Sequence, residues 1–314
     1  TWYQQGMTAY QAKDYVGYLE ALKKAADLFP EHPALQYRLA CASSLVGNHD
    51  DAIARLRRVA EMKVYQDLAG NPDFDPIRTS TGFLEVAASM KSLKDRVGSS
   101  QSAFRLAQKD LIVEGVAHDP VEGDFYVGSV HRRKILRVSK KGRTTDFTTQ
   151  KQDGLGAVLG LAVDSQRRQL WACTSGVAQM IEATDEEKGR GALMKYDLRT
   201  GAFIAKYPLG GGGTGHNCND LVIASSGDVF VSDAESGEIL RLLSGATELK
   251  VFIEAGRLKS PQGLALSPDN KLLFAADYGG VLHRIDIATR SAAPLHADPT
   301  VALLGIDGLL FYKN

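Results

Sequence analysis

The chain has 314 residues, which is enough for two domains that each have their own hydrophobic core. Its 37 Lys and Arg residues balance its 37 Asp and Glu residues, and no basic run could neutralise a string of phosphates, so nucleic acid is not an expected partner. The apolar stretches are short and interrupted by charges, which predicts no membrane span. The cysteines, Cys41, Cys173 and Cys218, are too few and too scattered to predict a disulfide framework or a zinc site.

Residues 1–96 show the apolar periodicity of helices and are predicted to form a helical domain. Small and apolar side chains recur there at spacings that resemble tetratricopeptide repeats. The first unit has Trp2, Gly6, Leu22, Ala25 and Pro30, with Tyr18 where the pattern favours a small residue. The second unit follows 34 residues later with Leu39, Ala40, Gly47, Ala52 and Leu56, and residues 70–90 form a degenerate third unit. We therefore predict antiparallel helical hairpins.

The resemblance of the helical domain implies a protein or peptide partner, because such arrays often bind peptides in a concave groove. The alternative is that so short an array only packs against a neighbouring domain. Residues 97–109 are rich in Gly and Ser and lose the periodicity, so they are predicted to be a linker. Residues 110–314 form the second predicted domain.

The second domain also consists of repeats. Each repeat begins with a residue that is usually polar, and a second residue, usually a Gly, follows it. An apolar strand, a turn and a second apolar strand come next, and four of the five repeats continue into a third strand. The repeats begin EGVAHDP, LGLAVDS, NDLVIAS, QGLALSP and DGLLFYKN. A four-stranded unit recurring about every 45 residues is typical of a β-propeller blade. The second repeat is lengthened to 60 residues by the charged segment 176–192, which we expect to be a solvent-exposed insertion.

One residue at the start of each innermost strand is expected to face the central channel, so that these residues form a ring. We call them the ring residues: Glu114, Leu159, Asn219, Gln262 and Asp307. All except Leu159 offer side-chain oxygens, and converging oxygens of mixed charge favour calcium (Ca²⁺) or another divalent cation over zinc. Asp220 is expected to hold the Asn219 side chain in position without binding the cation itself. The alternative for this Asn-Asp pair is an ordinary turn.

From about Asp110 onward, these motifs resemble the six-bladed calcium-dependent propellers of the senescence marker protein, gluconolactonase, paraoxonase and strictosidine synthase-like group. The matching positions are Glu114 in VEGVA, Asn219 in CNDLV and Asp307 in GIDGLLF, and Gln262 in PQGLA replaces the Asn of the family. The resemblance implies a metal site formed by these four side chains and a small lactone, ester or sugar-derived ligand in the propeller channel.

Members of this group that hydrolyse lactones or esters use calcium to polarise the carbonyl group. The gluconolactonase branch implies that Asp307 activates water, whereas the catalytic His of the paraoxonase branch corresponds to Leu159 here, which disfavours that mechanism. His216 is a further catalytic candidate at the channel mouth, its alternative being an ordinary loop histidine. Beside this hydrolase, the sequence leaves open a non-catalytic scaffold that binds a protein or ligand.

Two expectations concern the ends of the chain. The chain begins at Thr1 rather than Met, so we expect that a leader or signal peptide has been removed, which favours a secreted or periplasmic protein. The fifth repeat has barely begun at Asn314, and six blades would need roughly 75 further residues. We therefore expect either that the native chain continues or that a partner or second copy closes the ring.

Overall fold

The computed structural model describes residues 1–30, 32–95, 98–296, 298 and 300–312. The chain divides into two compact units, Thr1–Ser100 with His296–Leu303, and Gln101–Leu295 with the residues from Leu304 onward. Residues 296–303, predicted as part of the propeller, thus belong to the first unit. The predicted boundary at residues 96 and 97 lies outside the described residues, as does the predicted end of the propeller at residues 313 and 314.

The first unit is helical, as predicted. Its segments are α1 (Trp2–Gln11), α2 (Tyr15–Leu28), α3 (Pro33–Leu45), α4 (His49–Glu61), a 3-10 turn (Pro72–Ile77) and α5 (Thr81–Ser92). The side chain of Asp14 accepts a hydrogen bond from the Gly17 amide at the start of α2, which satisfies one of the free donors of a helix N-terminus. None of the helices among the described residues has both the length and the apolar character that crossing a membrane requires.

The hairpins α1–α2 and α3–α4 bury most of the side chains that the repeat pattern identified, whereas Trp2 and Pro30 are exposed. Leu22, Leu39, Ala52 and Leu56 are almost completely buried. Tyr18, which departs from the repeat pattern, is completely buried as well. These residues recur at helical spacing on one face of each helix, so the apolar stripe of one helix packs on that of the next.

In the described residues the second unit contains sixteen strands in four sheets. The first sheet has β1 (Val113–His118), β2 (Phe125–Ser129), β3 (Lys134–Val138) and β4 (Thr144–Asp146). The second has β5 (Ala157–Asp164), β6 (Gln169–Ser175), β7 (Gly191–Asp197) and β8 (Phe203–Pro208). The third has β9 (Cys218–Ile223), β10 (Val229–Asp233), β11 (Glu238–Leu242) and β12 (Lys250–Ile253). The fourth has β13 (Pro261–Leu266), β14 (Leu272–Asp277), β15 (Leu282–Asp286) and β16 (Ala292–Pro294).

Each sheet is a propeller blade, because its strands pair antiparallel in chain order and the first strands of successive sheets lie side by side. The predicted fold class, helical hairpins followed by a β-propeller, is therefore confirmed. The fifth repeat differs from its prediction, since the described residues 307–312 form no strand. They run beside β13, where the Gly263 amide donates to the Asp307 carbonyl at 2.6 Å, but they lack the ladder that defines a strand.

All four innermost strands contain a β-bulge at the same place. Two consecutive residues of the inner strand lie opposite a single residue of the second strand in every blade, and this interrupts the ladder. The bulged pairs are Glu114 and Gly115, Leu159 and Gly160, Asn219 and Asp220, and Gln262 and Gly263. The first member of each pair is the ring residue of that blade. The ring positions are therefore structurally equivalent in the four blades.

Glycine follows the ring residue in three blades because the neighbouring inner strand passes too close for a side chain. A Cβ atom on Gly115 would lie 2.0 Å from the Leu159 carbonyl oxygen, and one on Gly263 would lie 2.6 Å from the Asp307 carbonyl oxygen. A Cβ atom on Gly160 would lie 2.8 Å from the Asn219 carbonyl oxygen. Blade three departs from this pattern, because Asp220 carries a side chain at the corresponding position.

The insertion in blade two, residues 176–190, folds back onto blade one, and we call it the strap. The guanidinium of Arg133 in blade one is 1% exposed and pairs with the strap carboxylate of Glu187. It also donates to the carbonyl oxygens of Leu155 at 3.1 Å and Glu182 at 3.3 Å. The expectation of a solvent-exposed insertion therefore holds for only part of it, since the strap joins two blades through a buried charge.

Candidate functional site

The inner strands of the second unit line a cavity of about 930 Å³. Glu114, Asn219 and Asp307 line it together, as the sequence predicted for a channel ring. The apolar ring residue Leu159 and the neighbouring Asp220 also line it. The cavity is therefore lined by three carboxylates and the Asn219 amide, which come from blade one, blade three and the fifth repeat.

Asp220 faces the cavity together with its neighbour Asn219 because both lie in the bulge. Successive residues of a regular strand point to opposite sides, whereas a bulge can turn two of them to the same side. The Asp220 amide, which has no ladder partner at the bulge, donates to the Ser232 hydroxyl at 3.0 Å. The Asp220 Oδ2 atom accepts a hydrogen bond from the Leu264 amide at 2.9 Å. The Asn-Asp pair is thus part of the interior wall rather than of a surface turn.

The carboxylates of the cavity repel one another. Desolvation, aided by the charge of Asp307, raises the pKa of Asp220 to about 6. The same two causes raise the pKa of Glu114 above its ordinary value. A divalent cation among these groups would remove the repulsion and favour both ionised forms.

Two candidates from the sequence lie elsewhere. Within the described part of the chain, Gln262 is not among the residues that line the cavity, and its amide nitrogen donates to the Ser260 hydroxyl at 3.0 Å. His216 is also absent from the lining. Its Nδ1 atom lies 2.6 Å from the Oδ2 atom of the fully buried Asp233.

His216, Asp233 and Glu238 form a compact group whose ligand atoms lie within 4.8 Å of one another in the described residues. The carboxylate of Asp233 is already engaged, because its Oδ1 atom accepts from the Asn217 amide at 2.8 Å and its Oδ2 atom faces His216. Asp277 at the end of β14 binds the Ser260 amide in the same way, at 2.8 Å. An aspartate that ends the second strand and accepts from a backbone amide thus recurs in the next blade, which indicates a structural role for Asp233.

The donor set of the cavity fits a hard cation. Glu114, Asn219, Asp220 and Asp307 offer only oxygen atoms, and calcium prefers six to eight oxygen ligands from carboxylates, amides and water. No His or Cys side chain is among the described residues that line the cavity, so the set does not favour zinc. The chemistry of the lining thus agrees with the cation that the sequence resemblance implied.

The raised pKa of Asp220 predicts a pH-dependent stability in metal-free protein. The pKa is about 6 in the folded chain against an ordinary value of 3.8, so folding favours the protonated form of Asp220. Its stabilising contribution to the free energy of unfolding is therefore fully present below pH 3.8 and is lost as the pH rises through 6. We expect the wild type to lose up to about 3 kcal/mol relative to Asp220→Asn between pH 4 and pH 7. Urea unfolding of both proteins in chelator measures this difference. A difference that does not change with pH would contradict the prediction.

No protein-family model and no curated protein matches the sequence. Among solved structures, the chain is similar to a chain of the nidogen/laminin complex, with 18% identity, a TM-score of 0.49, and coverage of 65% of this chain and 70% of that one. It is similar to a gluconolactonase from Xanthomonas campestris, with 20% identity, a TM-score of 0.47 and coverage of 63% and 66%. It is also similar to virginiamycin B lyase from Staphylococcus aureus, with 16% identity, a TM-score of 0.47 and coverage of 62% and 59%. The chain spans less than two thirds of the last two proteins, and none of the three likenesses reaches a TM-score of 0.5, so the propeller fold of this chain rests on its own four blades.

Proposed function

We propose that the second unit binds calcium at the cavity and hydrolyses a lactone or ester. The observation that supports this most is that Glu114, Asn219 and Asp307, from three different inner segments, line the same cavity. The sequence adds Gln262 as a fourth ligand of the site. Bound calcium would polarise the carbonyl group of the substrate and stabilise the developing negative charge on its oxygen.

The residues of the chain would supply the rest of the chemistry. Asp307 is exposed in the cavity and lies near enough to Glu114 and Asp220 to raise the pKa of both. We assign it the role of holding the attacking water and accepting its proton while the water oxygen bonds to the carbonyl carbon. The bond from that carbon to the ring or ester oxygen then breaks, and the departing oxygen takes up a proton.

The second candidate function is a non-catalytic scaffold. Leu159 favours it, because this buried apolar side chain occupies a ring position that could otherwise carry a catalytic or ligating group. In this case the helical hairpins, which resemble tetratricopeptide repeats, would bind a protein or peptide, and the propeller would bind a ligand without transforming it.

A panel of sugar lactones, alkyl lactones and aryl esters separates the two functions. We expect turnover of at least one substrate class with calcium, its loss in excess chelator, and a fall in kcat of at least about 100-fold in Asp307→Asn. Turnover that survives the chelator would contradict the calcium mechanism. Calcium binding without any turnover would favour the scaffold.

A further inference from the structure

We infer that Asp220, rather than Gln262, is the fourth side chain of the metal site. This inference rests on the proposed calcium site and revises which residues form it. The sequence assigned Asp220 a supporting role behind Asn219, yet Asp220 lines the cavity and Gln262 does not.

The position of Asp220 in the bulge is the first argument. In the other three blades glycine occupies this position and leaves no room for a side chain. In blade three the carboxylate is accommodated because Gly160 of blade two lies against it, so that a Cβ atom on Gly160 would be 2.9 Å from the Asp220 Oδ1 atom. A charged side chain thus stands where the repeat otherwise has none.

The direction of the carboxylate is the second argument. Its Oδ1 atom lies beside Gly160 of blade two, and its Oδ2 atom accepts a hydrogen bond from Leu264 of blade four. A side chain on blade three that reaches both neighbouring inner strands points inward, toward the axis that these strands surround. It extends toward blade two, whose ring residue Leu159 supplies no oxygen ligand.

The bonding capacity of the two side chains is the third argument. Each oxygen of an ionised carboxylate has two lone pairs, so the backbone hydrogen bonds from Leu264 and Leu221 leave the Asp220 carboxylate able to coordinate a cation. The Gln262 amide nitrogen donates to Ser260, which ties this side chain to its own blade and leaves its oxygen unengaged by that bond. Three carboxylates with one amide also give calcium a more negative site than the two carboxylates and two amides that the sequence implied.

Calcium titration by calorimetry, supported by melting curves with rising calcium, tests the inference with three variants. Asp220→Asn keeps an oxygen that can accept from the Leu264 amide, whereas Asp220→Gly removes that acceptor and installs the residue that the other three bulges carry. Gln262→Leu is the matched control in the next blade. We expect both Asp220 variants to weaken calcium binding by at least about tenfold and Gln262→Leu to change it less than about threefold.

Each outcome separates the inference from the proposed function. Wild-type affinity in the Asp220 variants, or a loss confined to Gln262→Leu, would overturn the inference while the calcium site stands. Absence of calcium binding by the wild type would overturn both. The expected pattern without hydrolysis of any substrate would establish the ligand set and refute only the hydrolase.

Discussion

Arg133→Ala is expected to lower the free energy of unfolding by about 1–3 kcal/mol, measured by urea unfolding or as a loss of several degrees in Tm. The buried guanidinium of Arg133 holds the strap to blade one through the Glu187 carboxylate and the Glu182 carbonyl oxygen, and it also donates to the Leu155 carbonyl oxygen. Removing it deprives both carbonyl oxygens of this donor and takes the cation away from the Glu187 carboxylate, which still accepts from the Thr184 amide. Burial raises the pKa of Glu187, but the hydrogen bonds from Arg133 and the Thr184 amide, together with the charges of Arg133 and Lys151, outweigh burial and lower that pKa.

Two comparisons identify the buried pair as the cause. Lys151→Ala removes a solvent-exposed ion pair between blade one and strap residue Glu182, and we expect it to cost less than about 1 kcal/mol. The double variant Arg133→Met with Glu187→Met should be more stable than Arg133→Met alone, because no unpaired charge remains. If Arg133→Ala melts at the same temperature as the wild type, the contact between Arg133 and the strap contributes little to stability.

Asn219→Ala is expected to abolish the stabilisation of the protein by calcium. A ligand that binds only the folded state adds about 2.7 kcal/mol to the free energy of unfolding at 100 times its Kd. The wild-type Tm should therefore rise by several degrees as calcium is added after chelation, whereas that of Asn219→Ala should stay flat. Asn219 lines the cavity beside Asp220, and its amide oxygen has no equivalent in alanine.

The matched control for this experiment is Asn270→Gly. Asn270 also lines the cavity, but its amide is engaged in a turn, where it accepts from the Ser225 amide at 2.7 Å and donates to the Pro268 carbonyl oxygen at 3.2 Å. Its backbone φ is 57°, which glycine tolerates. We expect a lower baseline Tm with an unchanged calcium increment. A calcium increment retained by Asn219→Ala would remove this residue from the ligand set.

The sequence was sufficient to predict the blades because their signals are local. Alternating apolar residues, turn glycines and a repeat of about 45 residues determine each four-stranded sheet from within its own segment. The equivalence of the ring positions followed from aligning the repeats, and the bulges show the same equivalence for four of the five. Metal binding by these residues stays a prediction.

What the sequence did not indicate depends on contacts between distant segments. The alternation of apolar and polar residues does not reveal that Asn219 and Asp220 share one side of the strand. Successive side chains of a regular strand point to opposite sides, and the bulge changes this locally. The glycine after the ring residue in the other blades was the available signal, because it marks a close approach of neighbouring strands. Glu187 lies in the insertion that was predicted to be solvent-exposed, and only the folded chain brings it to Arg133, 54 positions away.

The bulges also place the side chains that line the cavity outside the paired positions that hold each blade together. Glu114, Leu159, Asn219 and Gln262 lie where the ladder between the first two strands is interrupted, so changing one of these side chains alters no paired position of the blade. The inner wall can therefore gain or lose an oxygen ligand one blade at a time on an unchanged scaffold. Leu159 and Gln262 illustrate the substitutions that this arrangement tolerates. Substitutions at these four positions can therefore be compared for their effect on ligand binding while the strand pairing of the blade is kept.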